Sequence, residues 1–177
     1  MDVLSIAQNV LGRAVSDGAM DMLTGDLNKR LRVREMEAVH TAAAAASVAL
    51  PPDFAEAVLV ELDDKPLLPV TLANLADGTF AIVGDQIRTT ASSGSLRLTY
   101  RARLEPFQMG QTNDAAEAHP NVYLYGLLMH HAALSRDDAG RQHWQGEFER
   151  ALADAHEADT RARQSEIAMR PIPRYCA

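Results

Sequence analysis

TFAIVGDQIRTT, residues 79 to 90, decides the fold class. Two runs of apolar and β-branched residues flank Val-Gly-Asp-Gln, the composition of a tight hairpin. Reading outward, AVLVELDD (57–64) and SLRLTYRARL (95–104) share this strand character. Leu96, Leu98 and Tyr100 alternate with Arg97, Thr99 and Arg101, which predicts one buried face and one wet face. ASSGS (91–95) signals a further turn. TAAAAASVALPP (41–52) is ambiguous, because alanine favours helix while Ser47, Val48 and two prolines favour an extended exit; we read it as strand.

Outside this region the period changes to that of a helix. Val3, Ile6, Ala7, Val10, Leu11 and Ala14 fall on one helical stripe, and Ser16-Asp17-Gly18 ends it. A second helix follows with Ala19, Met22, Leu23, Leu27 and Leu31 on one side, closed by Lys29 and Arg30. EPFQMGQTNDAAEA (105–118) reads as a loop. Pro120 suits the first position of the next helix. The last helix is expected from about Asp137 to Arg163, with Trp144, Phe148, Ala151, Leu152 and Ala155 as its stripe.

These elements predict an α+β fold. Helices from both ends pack as a bundle over residues 1–35 and 119–166, with an inserted antiparallel β-rich region at about 36–104. Residues 105–118 form a loop, and an extended C-terminal tail occupies 167–177, where two prolines stop the helix.

The chain's 177 residues carry a net charge of −7, which opposes a DNA-coating role but not a channel through which DNA slides. The single cysteine, Cys176, permits no internal disulfide. The N-terminus lacks a signal peptide's basic region, and no stretch reaches the roughly 18 to 20 apolar residues of a membrane span. The expectation is therefore a protein made in the cytoplasm, with no membrane partner.

HPNVYLYGLLMHH (119–131) holds three of the six histidines and invites a metal reading. At about 100° per residue, His131 lies within the stripe of Tyr123, Leu124, Leu127, Leu128 and Leu134, while His130 diverges to its edge. His143 and His156 flank opposite sides of the next helix's stripe, and no His-x-x-x-His spacing occurs. The favoured reading is packing, with no metal or cofactor. Tyr125, Met129, Ala132 and Ala133 leave the opposite side of the helix uncharged too, so it is either central to its own domain or faces another subunit.

KRLRVR (29–34) is offset at once by Glu35 and Glu37, which favours a solvated helix end or salt-bridge surface over nucleic acid. Asp63-Asp64 and Asp137-Asp138 sit near turns, where aspartate is common for local reasons. The chain contains no GxxxxGK[ST], GxGxxG, GxSxG or CxxC, so nothing points to an enzyme.

Four segments in order resemble the head-to-tail adaptor proteins of tailed bacteriophages and related gene transfer agents. They are DLNKRLRVREME (26–37), ALPPDFAEAVLVELDDKPLLPVT (49–71), FAIVGDQIRTT with LRLTYRARL (80–104), and HPNVYLYGLLMHHAAL with the helix after it (119–166). The resemblance implies a ring, typically twelve-fold, in the virion neck beneath the portal vertex. Its helices would surround the DNA channel and its β-rich insertion would project from the ring. The ring would bind the portal protein, itself, and a tail or stopper protein, and genome DNA would cross it unread during ejection. It implies portal docking by the C-terminal tail, where Arg170, Ile172, Arg174 and Tyr175 are suitable anchors. Tyr123, Tyr125, Leu127, His131, Trp144 and Phe148 are then expected to pack the core or the subunit contact. Two rival readings are another neck component, such as a stopper, and a small metal-dependent enzyme using the histidines.

Overall fold

The computed structural model describes residues 3–12, 14–105 and 113–169, with side chains described as far as Ser165. The chain divides into two compact units, residues 36–104 and the remainder.

Among the described residues, the unit outside 36–104 contains five α-helices: α1 (Val3–Leu11), α2 (Asp17–Arg30), α3 (Asp114–Ala118), α4 (Pro120–Leu134) and α5 (Asp138–Met169). Gly12, at φ +63°, follows the end of α1, earlier than the stripe through Ala14 suggests; glycine adopts this left-handed backbone at little cost. Ser16 caps α2 by accepting from the Ala19 N–H at 3.3 Å. The expected loop at 105–118 ends in a helix instead. Asn113 accepts from the Ala116 N–H at 2.8 Å, and this cap starts α3. Helix α5 continues to Met169 rather than stopping at Arg163, since no proline interrupts it before Pro171. α4 packs against α1, α2, α3 and α5.

The second unit contains β1 (Glu37–Ala43), β2 (Ser47–Ala49), β3 (Phe54–Leu62), β4 (Lys65–Pro66), β5 (Leu68–Pro69), β6 (Thr79–Val83), β7 (Gln86–Arg88) and β8 (Ser95–Ala102). They form two sheets, ordered β1-β8-β3-β4 and β2-β7-β6-β5. The 79–90 hairpin is present: β6 and β7 pair through Ile82–Ile87 and Val83–Gln86, with Gly84 at φ +61° in the turn. The alanine run is not one strand. It breaks at residues 44–46, where Ala44 is buried and its N–H bonds to the Gly94 carbonyl. Nor is pairing wholly antiparallel, because β5 runs parallel to β6.

Val48, Val60, Phe80, Ile87, Leu96 and Leu98 bring both sheets onto one core. Leu96, Leu98 and Tyr100 are buried, and Arg97 is exposed between them. The Tyr100 hydroxyl donates to Asp53 at 3.0 Å, and burial together with that carboxylate pushes the phenol pKa up.

Candidate functional site: packing and assembly surfaces

Helix α4 has almost no polar side, so all its faces need cover. Val122, Tyr123, Gly126, Leu127, Leu128, His130, His131 and Ala132 are buried within its unit. Gly126 sets how closely its neighbours approach. A Cβ there would collide with the Leu23 side chain of α2 and stand 3.0 Å from the Phe148 ring of α5. Phe148 is fully buried, and the Arg30 guanidinium lies over its ring at 5.4 Å. Tyr125 and Trp144 are half-buried and stack with centroids 6.1 Å apart, and His143 meets the Trp144 ring edge-on.

Tyr123 buries its ring and donates its hydroxyl to Asn113 at 3.1 Å, tying α4 to the cap of α3. Burial pushes its pKa up to about 12. Both adjacent histidines are buried. His130 places Nε2 3.1 Å from the Asp26 carboxylate of α2, and burial lowers its pKa against the opposing pull of Asp26. His131 is 6% exposed.

The basic run 29–34 is bound up within its own unit. Arg30 forms an ion pair with Glu149. The Arg32 N–H donates to His156 at 3.3 Å, and the Arg34 N–H donates to Asp159 at 2.9 Å. Leu31 and Val33, between these bonds, are fully buried. Asp159 also accepts from the Arg163 guanidinium at 2.6 Å. Burial pushes its carboxyl up, but the hydrogen bonds from Arg163 and Arg34 and their charges outweigh it, so its pKa lies below the ordinary value. Among the described residues searched, no three His, Cys, Asp or Glu gather to hold a metal, and no helix is long and apolar enough to cross a membrane. Arg170, Ile172, Arg174 and Tyr175 lie outside the described residues.

The β unit carries a feature that periodicity did not reveal. A trough of about 550 Å³ opens between β3 and β6, lined by Phe54, Val58, Leu59, Pro69, Phe80 and Ile82 among others. Its only sequence signal is Ala57-Val58-Leu59-Val60, an unbroken apolar run where a strand with one wet face would alternate.

The chain thus combines a helical unit gathered around an apolar central helix with a small β unit that carries an open apolar trough. The family model described as SU10 adaptor protein matches residues 3–171, and the chain belongs to that family. It is thus a structural adaptor of a phage particle, and its place is in the virion. A comparison with curated proteins finds no match.

Proposed function

We propose that this adaptor assembles as a ring beneath the portal vertex, extends the DNA channel there and joins the capsid to the tail. The observation that carries this reading is the family match, which spans both units and nearly the whole chain. In the assembled ring, by resemblance twelve-fold, many weak identical contacts act together, so the free subunit need not be a stable oligomer. The net charge of −7 suits a channel wall that repels phosphate and lets DNA slide. Helix α5 takes up the first three residues of the expected tail, and the segment after it docks on the portal, with Arg170, Ile172, Arg174 and Tyr175 as anchors; its two prolines reduce the entropy lost on docking.

Native mass spectrometry of the chain with and without portal protein tests this. The expected result is a portal complex carrying a ring of copies, lost when residues 170–177 are removed. A chain that never associates with portal sinks the reading.

A further inference from the structure

The apolar trough of the β unit is bounded by two incompletely paired strands. The chain between β3 and β6 crosses from one sheet to the other. It pairs with β3 only at Glu61 and Leu62, with Leu67 N–H donating to the Val60 carbonyl. It then pairs with β6 only at Thr79 and Phe80, with Val70 N–H donating to the Phe80 carbonyl. Beyond these points the two strands are left open towards each other. Among the described residues, Ala57 and Leu59 pair only with β8, Val58 bulges between them, and Ile82 and Val83 pair only with β7. A strand with one neighbour leaves alternate N–H and C=O groups directed the other way. Val58 and Leu59 are each 39% exposed, and Ile82 and Val83 are each 41% exposed. The only charged side chain in the lining, Glu56, forms an ion pair with Arg101 at 2.8 Å. Both the hydrogen-bonding groups and the charge therefore specify the occupant: an extended, uncharged backbone with apolar side chains.

We propose that this trough receives a single extended peptide strand donated by another protein of the particle, bonded by β3 on one side and β6 on the other. Such strand addition takes its affinity from backbone hydrogen bonds and its selectivity from pockets for alternate side chains. The occupant must offer both of its edges, which excludes the described strands of a second copy, since each already lies in a ladder. The end of the chain is also unsuited. Pro171 and Pro173 lack N–H groups, and Arg170 and Arg174 would bring uncompensated charge to an uncharged lining. The inference rests on the adaptor reading only in taking the donor from the particle.

The test uses full-length chain carrying a photo-crosslinking amino acid in place of the exposed Leu59, assembled into particles. Mass spectrometry is expected to find one cross-linked segment, apolar at alternate positions, from a different particle protein. Hydrogen exchange at Val58 and Ile82, which line the trough, should be at least tenfold slower in particles than in the isolated chain. Ile82→Asp, at an exposed position, should keep the thermal midpoint of the isolated chain and abolish the cross-link. A cross-link to another copy of this chain overturns the proposal, as does unchanged exchange in particles that contain the chain; either leaves the adaptor reading standing. If the chain is absent from particles, the adaptor reading falls, and this inference with it.

Discussion

At the scale of single residues, the helical unit depends on side chains that must fit or titrate. Gly126→Ala inserts a methyl group between Leu23 and Phe148, so it should destabilise the chain by about 1–3 kcal/mol in urea unfolding. A stability equal to that of the parent would show that the interface gives way easily. Tyr123→Phe keeps the ring packing and loses the bond to Asn113, a cost of about 1 kcal/mol. His130 supplies the pH dependence. Its pKa is lowered in the folded chain, chiefly by burial, so the unfolded chain binds the proton more tightly. Stability is therefore complete above the ordinary histidine pKa of about 6.5 and falls as the pH drops through that value. Asp26 moderates this effect, and Arg30, Arg141 and Glu149 share the recess. The thermal midpoint should drop between pH 7.5 and 5.5, and His130→Gln should flatten that slope. An equal slope in both proteins would assign the effect to other groups.

At the scale of elements, turns and caps set the boundaries. The β3–β4 hairpin turns on Asp63 and Asp64, at φ +47° and +61°, and Asp63 accepts from the Ser95 N–H at 2.8 Å. Asp64 is not needed for that bond, so Asp64→Gly should relieve left-handed strain and raise stability by about 0.5–1 kcal/mol. A lower denaturation midpoint would contradict this. Much of the element pattern was legible: the 79–90 hairpin, the alternation of β8 and the Phe148, Ala151, Leu152 and Ala155 stripe of α5 rest on short-range periodicity, whereas Met22 and Leu134, expected on buried stripes, are exposed. The five-residue α3 was not, because its signal is one cap, Asn113, inside a polar stretch. The break at residues 44–46 was hidden for a different reason. Alanine carries little strand or turn information, and the hydrogen bond from Ala44 to Gly94 joins residues far apart in sequence.

At the scale of the whole molecule, charge governs how copies meet. Each carries −7, so association between copies should strengthen with salt as repulsion is screened. Sedimentation velocity of concentrated protein at about 50 and 300 mM NaCl checks this, with Debye lengths near 14 and 6 Å by the usual scaling. Weaker association at higher salt would instead indicate attractive ion pairs between copies. The assembly surfaces were the least legible part of the chain. The apolar faces of α4 were legible in the sequence; Tyr123, Leu127, His131 and Phe148 are buried in the helical unit. Whether a strand edge is left open depends on which strands pair across the sequence, and the two-residue strands β4 and β5 carry no periodic signal.

Helix α5 has 32 residues and so spans about 48 Å, yet from Thr160 to Ser165 none of its residues is buried. Intrahelical pairs, Glu157–Arg161 at 3.4 Å and Asp159–Arg163 at 2.6 Å, support this final stretch. In a continuous helix, the direction that Met169 faces about the helix axis is set by the number of residues before it. One alanine inserted after Thr160 would swing that direction by about 100°, whereas four would bring it back to within about 40° and lengthen the helix by about 6 Å. If the orientation of this end governs assembly, particle yield should fall with one inserted residue and recover with four. A steady decline with length would show that reach matters and angle does not.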